Sequence, residues 1–380
     1  MTSLLELARD RSIIICAGSG GVGKTTIAAA IAVEGARIGR RTCVVTIDPA
    51  KRLADALGLD RLTNQPGLVE GDWDGPGQLW ALMLDTKSTF DDLVARYATS
   101  PRQAEGILAN RLYRNMSSAL SGTQEYMAME KLYELHEDGR FDLIVVDTPP
   151  TRNALDFLDA PRRLTHFLDN RIFRLLMMPT RAYLRAVSVA TQAFLRTVSK
   201  VVGSEVVGDA VAFFAAFEGM EQGFRDRAER VAELLADSGT AFVLVAAARR
   251  DAVDEALYFA RRLQDAALRI EALVVNRLYP RYGPVPAVLS TIGDPAAETD
   301  EASVPLGALV RNLRELRGIA EREERHVDAL VRRVAPAPTY RVPMLATDVH
   351  DLAGLSIVAG YLFDRAGSDR SESGACDSGR

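Results

Sequence analysis

Residues 18–26 read Gly-Ser-Gly-Gly-Val-Gly-Lys-Thr-Thr, and this stretch decides the fold of the chain. An apolar run at residues 13–17 precedes it, and a helical pattern rich in small residues follows it at 27–38. β-Branched residues favour a strand, and glycine permits the tight turn that joins a strand to a helix. The order of strand, glycine-rich loop and helix predicts the first unit of a parallel α/β sheet.

The same stretch satisfies the pattern G-x-x-x-x-G-K-[ST], which cradles the phosphates of a nucleoside triphosphate. Backbone N–H groups of the loop turn inward on phosphate oxygens, and the ammonium group of Lys24 adds a positive charge. Thr25 offers its hydroxyl to Mg²⁺, which prefers oxygen ligands. The predicted nucleotide contacts in the loop are Gly20, Gly21, Val22, Gly23, Lys24, Thr25 and Thr26.

Two further strand patterns each end in an aspartate. Residues 43–47 form a β-branched run that leads to Asp48, and residues 141–146 form another that leads to Asp147. Open α/β sheets bind their ligands at the carboxyl ends of the strands, so we expect both carboxylates beside the phosphate loop. Because aspartate is also a favoured helix N-cap, either residue could instead only cap the helix that follows.

These segments together resemble the ArsA family of ATPases. Asp-Pro-Ala at residues 48–50 and Asp-Thr-Pro-Pro-Thr at 147–151 are similar to the two switches of that family. Asn276, within Val-Val-Asn-Arg, resembles the residue that contacts adenine, and Pro343 begins a loop similar to the one that walls the base. The family includes the arsenite-pump ATPase and the ATPase that delivers tail-anchored membrane proteins. The resemblance covers roughly residues 10–360.

The resemblance implies an ATPase that uses ATP and Mg²⁺, and it assigns roles to single residues. Lys24 and the loop backbone hold the phosphates, and Asp48 positions the attacking water in line with the γ-phosphate. Thr25 ligates Mg²⁺, and Asp147 orients the metal through water. The predicted catalytic residues are therefore Asp48 and Lys24, and the predicted metal-binding residues are Thr25 and Asp147.

One position of the loop departs from that family. The family carries a signature lysine before the paired glycines, and this chain has Ser19 there. In dimeric relatives the lysine reaches the partner's nucleotide and spreads the charge of the transition state. The chain could form a heterodimer with a paralogous ATPase that supplies the lysine. Alternatively it forms a homodimer, or it is a slow ATPase in which another cation, such as Arg41 or Arg52, takes that role. The rate of hydrolysis stays open.

Alternating strand and helix patterns predict an α/β fold, a doubly wound and mostly parallel P-loop NTPase sheet with an inserted helical subdomain. Residues 1–159 and 237–366 form the predicted ATPase core, with a helical segment at about 86–137. Residues 160–236 carry no strand pattern and form the predicted helical insertion. Residues 367–380, mostly Ser, Gly and Asp, are expected to be a disordered tail.

The helical insertion is the predicted client- or partner-binding surface. Methionine and aromatic side chains at 167–178 and 211–217 suit the promiscuous binding of apolar segments. A hydrophobic protein client or a membrane-protein partner fits such a surface. An apolar stripe at helical spacing is also the pattern of a core, so these side chains could instead pack inside the protein or at a dimer interface.

Composition bounds the alternatives. An arsenite- or anion-pump ATPase subunit would need soft thiolate ligands, and Cys16, Cys43 and Cys376 form no cluster in the sequence. A partitioning scaffold of the ParA or MinD type would need a basic DNA-binding face or a membrane helix, whereas the net charge is −5. The longest apolar stretch, residues 201–217, is too short for a spanning helix. We predict a cytoplasmic protein with no nucleic-acid partner and no transmembrane segment.

Overall fold

The computed structural model describes the following parts of the chain: residues 2–48, 52–71, 75–111, 123–149, 213, 216, 219–283 and 304–363. The predicted tail at 367–380, with Cys376, and most of the predicted helical insertion lie outside these residues. The last part of that insertion, residues 219–236, is described.

Eight strands form a single sheet. They are β1 (Ile13–Gly18), β2 (Arg41–Thr46), β3 (Gly67–Leu68), β4 (Gln78–Met83), β5 (Leu143–Asp147), β6 (Thr240–Ala247), β7 (Ile270–Leu278) and β8 (Thr339–Pro343). Their order across the sheet is β3-β4-β2-β5-β1-β6-β7-β8. Every neighbouring pair is parallel except β3 with β4. The predicted α/β class and the mostly parallel sheet are confirmed.

Helices cover the sheet. Within the described residues they are α1 (Leu4–Asp10), α2 (Lys24–Arg37), α3 (Arg52–Ala56), α4 (Thr86–Tyr97), α5 (Pro101–Ala109), α6 (Thr123–Glu137), α7 (Glu221–Ala236), α8 (Arg250–Asp265), α9 (Val304–Val334) and α10 (Leu352–Leu362). None of these described helices is both long and apolar enough to span a membrane.

Both faces of the sheet are buried. Along β1, Ile13 and Ile15 belong to one apolar cluster, which also contains residues of α4 to α9. Ile14 and Cys16 point to the other face and join a cluster with residues of α1, α2, α3 and α10. Alternate side chains of a strand point to opposite faces, so a strand that is apolar throughout requires helices on both sides. The sheet is therefore doubly wound.

Strand register brings the predicted aspartate to the centre of the carboxyl edge. Asp147, the last residue of β5, is paired with Thr46 of β2 on one side and with Cys16 of β1 on the other. The phosphate loop follows β1 directly, because α2 begins at Lys24. The loop and Asp147 consequently lie next to each other at the edge where parallel sheets bind ligands.

The sequence patterns did not predict two of the elements, β3 and α1. β3 lies in a stretch that reads as a Gly- and Asp-rich loop, and both of its residues are exposed, so it carries no apolar alternation. The short α1 has a capping box in which Ser3 accepts from the backbone of Glu6 and the Glu6 side chain accepts from Ser3. The spacing Ser-x-x-Glu before an apolar run is a helix-start pattern that could have found α1.

Two glycines in different helices, one tightly packed and one not, test how closely α2 packs on the sheet. A Cβ atom on Gly35 would lie 2.6 Å from Thr42 Oγ1 and 2.8 Å from Leu143 Cδ2, whereas one on Gly360 of α10 would meet no described atom within 4 Å. Gly35→Ala should lower the free energy of unfolding by about 1–3 kcal/mol through overpacking. Gly360→Ala should raise it by about 0.5–1 kcal/mol, because alanine favours a helix.

Urea unfolding followed by circular dichroism measures both changes. A Gly35→Ala protein as stable as the wild type would show that α2 does not press against β2 and β5 as the structure has it.

Candidate functional site

A cavity of about 670 Å³ opens at the carboxyl edge of the sheet. Most of the predicted site residues line it, namely Gly21, Gly23, Lys24, Thr25, Thr26, Asp48, Asp147, Asn276 and Pro343. Gly20 and Val22 belong to the same loop but are not among the lining residues, and the Val22 side chain is buried in the core. Segments that are far apart in the sequence thus converge on one cavity.

The turn from loop to helix depends on Gly23. This residue has a φ of 92°, in the left-handed region that side chains disfavour, and it is the N-cap of α2. A Cβ atom there would also lie 2.2 Å from the amide nitrogen of Asn276. Only glycine fits this position, so the loop can bring its N–H groups to the helix N-terminus, where anions bind.

The Lys24 side chain folds back over the loop. Its ammonium group donates to the carbonyl oxygen of Ser19 at 3.0 Å and is almost completely buried. Burial lowers the pKa of Lys24, and the carboxylates of Asp147 and Asp48 partly oppose this effect. The ammonium group is therefore held where the loop curves around a phosphate.

Two hydroxyl groups hold the carboxylate of Asp147. Its Oδ2 accepts hydrogen bonds from Thr25 Oγ1 at 2.7 Å and from Thr46 Oγ1 at 2.9 Å. Its Oδ1 is buried and has no hydrogen-bond partner among the described residues. Burial raises the pKa of Asp147 to about 6, although the two hydroxyl groups and Lys24 favour the charged form. A buried carboxylate oxygen without a partner destabilises the folded protein, and a ligand that contacts it would remove this cost.

Asp48 lies beside the same network. Its backbone N–H donates to Thr46 Oγ1 at 3.3 Å, so the Thr46 hydroxyl connects Asp48 to Asp147. Its carboxylate is 3.4 Å from the guanidinium group of Arg52, the first residue of α3. Residues 49–51, the rest of the first switch motif, lie outside the described residues.

Asn276 and Arg277 at the end of β7 hold the loop from the other side. The Asn276 amide nitrogen donates to the carbonyl oxygen of Val22 at 2.9 Å, and its Oδ1 accepts from the backbone N–H of Arg277. The Arg277 guanidinium group donates to the carbonyl oxygen of Gly21 at 3.1 Å. Arg277 has a φ of 58°, a conformation that costs a side-chain residue of the order of 1–3 kcal/mol.

Comparison with known proteins fits this geometry. A sequence model of the family described as anion-transporting ATPase matches residues 11–283, well over half of the chain. The chain belongs to the ArsA ATPase family. The resemblance predicted from the two switch motifs and the phosphate loop is thereby confirmed.

Several relatives are similar over most of this chain. An uncharacterized protein of Streptomyces coelicolor is 32% identical over 278 residues, which are 73% of this chain and 65% of that protein. A putative arsenical pump-driving ATPase of Prosthecochloris vibrioformis is 26% identical over 70% of this chain and 61% of its own length. The ATPase GET3B of Arabidopsis thaliana is 28% identical over 71% and 65%. The matched stretch thus spans less than two thirds of the length of each of these relatives.

Within this ArsA-family chain, the two candidate substitutes for the missing lysine differ in position. Arg41 is the first residue of β2, at the edge of the sheet opposite to the phosphate loop, and it forms an ion pair with Asp142 at 2.7 Å. Arg41 therefore lies away from the cavity of its own chain, and its role as a substitute cation stays a prediction. Arg52 lines the cavity. Ser19 is buried, and its hydroxyl has no hydrogen-bond partner among the described residues.

The oxygen atoms at the base of the cavity suit Mg²⁺. The unpartnered Oδ1 of Asp147 and the hydroxyl of Thr25 are hard oxygen donors beside the phosphate loop. Mg²⁺ usually keeps several waters and binds through one or two protein oxygens together with substrate phosphates. Thr25 and Asp147 therefore fit the metal predicted from the sequence.

The structure brings further residues to the site, beyond those to which the sequence assigned a role. Thr46 is buried between the two aspartates, and its signal in the sequence is only its place two residues before Asp48. Asp55 and His350 line the rim of the cavity. Met344, which follows Pro343, is a large and exposed apolar side chain at the same rim. These positions come from segments whose nearness depends on the folded sheet.

Proposed function

We propose that this chain is a Mg²⁺-dependent ATPase that couples the binding and hydrolysis of ATP to a change in a helical surface. The observation that carries the proposal is the convergence of Lys24, Thr25, Asp147 and Asp48 on one cavity around the phosphate loop. Membership in the ArsA family supports the same activity.

The loop and Lys24 would bind the triphosphate. In the structure the Lys24 ammonium group donates to a loop carbonyl, which is a neutral acceptor. A phosphate oxygen carries negative charge and accepts a stronger hydrogen bond, so the ammonium group turns to the β- and γ-phosphates when ATP binds. The N–H groups at the start of α2 complete the cradle.

Thr25 and Asp147 would hold Mg²⁺, with Asp147 acting through water. Held there, the metal would supply positive charge that neutralises the triphosphate. Thr46 keeps the Asp147 carboxylate in place through its hydrogen bond to Oδ2. The carboxylate must be ionised for this role, and the nearby ammonium group of Lys24 favours that state.

Asp48 would orient the attacking water. Its carboxylate lines the cavity and accepts from Arg52, whose guanidinium group is mostly exposed. An exposed ion pair contributes little energy, so Asp48 can exchange this partner for a water molecule in line with the γ-phosphate. The Asp48 carboxylate then accepts a hydrogen bond from that water.

The two aspartates would couple the hydrolysis of ATP to the conformation of the helices that follow them. Asp48 leads to α3, and Asp147 leads into the predicted helical insertion, while the hydroxyl of Thr46 connects the two. Loss of the γ-phosphate releases both switches, a frequent way of ordering or freeing a segment. The ATP state of the site would thus set the state of the helical surface.

The described end of the insertion is anchored to the ATPase core. Arg227 of α7 pairs with Glu130 and, at 2.6 Å, with Glu137, both on α6, and lies 3.9 Å over the ring of Tyr133. Phe213, one of the predicted client-binding side chains, is buried in the core cluster. The proposed client surface therefore lies between Asp147 and this anchor, and residues 150–212 are outside the described residues.

A hydrophobic protein client or a membrane-protein partner would use this surface. The assembly is either a homodimer or a heterodimer with a paralogous, lysine-bearing ATPase, and the proposed location is the cytoplasm. Arsenite is a less suitable cargo because Cys16 and Cys43 are buried in β1 and β2. Burial raises the pKa of both thiols, for Cys43 to about 12, so the reactive thiolate is disfavoured.

Hydrogen exchange and ATP turnover test the proposal on the purified chain. We expect ATP hydrolysis above background and, with Mg²⁺ and either ADP or a non-hydrolysable ATP analogue, slower exchange of residues 18–26. Only the ATP analogue should change the exchange of residues 150–220, because only the γ-phosphate engages Asp48. The same exchange pattern at 150–220 with both nucleotides would contradict the coupling, and no protection of the loop would contradict the nucleotide site.

A further inference from the structure

Arg277 occupies a backbone conformation that an arginine rarely adopts. Its φ of 58° is in the left-handed region, and the pairing of β7 with β8 shifts register between Val275 and Leu278. Such irregularities re-aim side chains and are frequent beside active sites. A strained residue persists where the surrounding structure requires it, so the conformation calls for a role of the side chain.

The guanidinium group of Arg277 is aimed at the phosphate loop. It donates to the carbonyl oxygen of Gly21, and the Lys24 ammonium group donates to the carbonyl oxygen of Ser19, two residues earlier. The lysine of such loops contacts the β- and γ-phosphates once a triphosphate is bound, so the turn that both cations contact borders the proposed triphosphate site. Two cations from distant parts of the chain thus hold the carbonyls of Ser19 and Gly21, two residues apart in one turn.

The positive charge of Arg277 is available to a ligand. The side chain is exposed and lines the cavity, and within the described part of the chain it forms no ion pair. Arg52, the other arginine that lines the cavity, instead pairs with Asp48. A triphosphate offers charged oxygens, which are better acceptors for a guanidinium group than a peptide carbonyl.

We propose that Arg277 is a nucleotide-contacting cation, supplied by the chain itself, that replaces the charge absent at Ser19. When a nucleoside triphosphate binds, the guanidinium group leaves the Gly21 carbonyl and contacts the γ-phosphate end. The inference rests on the proposed ATPase function. It removes the need for a lysine from a partner subunit, because the extra charge is present in the same protomer.

Substituting Arg277 by glycine tests the charge of the side chain without adding strain to the backbone. Arg277→Gly removes the guanidinium group and relieves the positive φ, so the protein should be at least as thermostable as the wild type. We expect its affinity for the ATP analogue AMP-PNP to fall about 10- to 100-fold, with a change of less than about threefold for ADP. Arg277→Lys keeps a charge and should retain part of the preference for the triphosphate.

Ala267 provides a matched control, since it is the other described residue with a side chain and a positive φ, at 59°. Ala267→Gly should match Arg277→Gly in melting temperature and the wild type in both affinities, as measured by calorimetry with Mg²⁺. Unchanged AMP-PNP affinity of Arg277→Gly, or equal losses for AMP-PNP and ADP, would overturn the inference. A wild-type chain that binds neither nucleotide would instead contradict the proposed function.

Discussion

Replacing Lys24 by alanine should abolish the binding of ATP and ADP, whereas replacing Asp48 by asparagine should leave binding nearly unchanged and stop turnover. The two residues line the same cavity, but only the ammonium group faces the carbonyls of the phosphate loop. Hydrogen bonds to charged groups contribute about 1.5–3 kcal/mol each, so the loss of two such bonds from the Lys24 ammonium group to phosphate oxygens should weaken affinity at least about 100-fold.

Asp48→Asn keeps the size of the side chain and removes its charge. An asparagine cannot orient a water by a charged acceptor, and the loss of such a positioned group lowers rates by about 10²–10⁴-fold. Calorimetry with Mg²⁺ and ADP gives the affinity, and phosphate release gives the rate. Lys87 is exposed on α4 and paired with Asp91, so Lys87→Ala is a lysine control that should change neither quantity.

The outcome separates binding from chemistry. Equal losses of nucleotide affinity in Lys24→Ala and Asp48→Asn would contradict the water-positioning role of Asp48. Full turnover by Asp48→Asn would remove Asp48 from the mechanism altogether.

Asp147→Asn should change how the stability of the metal-free protein depends on pH. The pKa of Asp147 is about 6 in the folded protein, against an ordinary value of 3.8. Between these values the folded protein holds a proton that the unfolded chain has released, so the free energy of unfolding falls as pH rises. The full change, from below the lower pKa to above the higher one, is about 3 kcal/mol, at 1.36 kcal/mol per pKa unit, and most of it falls between pH 4 and pH 7.

The asparagine variant lacks this contribution. Its amide oxygen can still accept from Thr25 and Thr46, and the amide nitrogen placed at Oδ1 costs the variant about the same amount at every pH. The difference in unfolding free energy between the two proteins should therefore move by about 2–3 kcal/mol in favour of the variant between pH 4 and pH 7. Urea unfolding in the presence of a chelator measures this difference.

The substitution that favours the metal-free variant at higher pH should weaken its stabilisation by ATP and Mg²⁺. With Mg²⁺ added, ATP should stabilise the wild type far more than Asp147→Asn, because the neutral amide is a poorer partner for the hydrated metal. A pH-independent difference between the proteins would show that Asp147 is not a desolvated carboxylate. An equal response to Mg²⁺ and ATP would show that it does not hold the metal.

The features that could be predicted from the sequence are those that short contiguous segments encode. The phosphate loop, the strands around it and the carboxylates that end β2 and β5 are encoded within short stretches, because backbone propensity and strand alternation are local. Their arrival at one edge of the sheet follows from the parallel arrangement. The α/β class and the family therefore required no knowledge of contacts between distant residues.

The contacts that complete the site depend on strand order. Thr46 meets Asp147 only because β2 lies next to β5, although the two residues are 101 positions apart. Of the two candidate substitute cations, only Arg52 lines the cavity, whereas Arg41 lies at the amino end of β2, beside Asp142. A sequence does not state which strands are neighbours, so it cannot assign such pairs.

By itself the sequence determined the phosphate loop, the aspartates at the strand ends and the ArsA family, because each is written in adjacent residues. Only the tertiary structure decided that Asp147 is buried with one unpartnered oxygen, and that Arg277 turns back onto the loop. Burial and backbone strain arise from the packing of segments that are far apart in the sequence. Val22 and the Asn276 amide that donates to it, for example, are 254 positions apart.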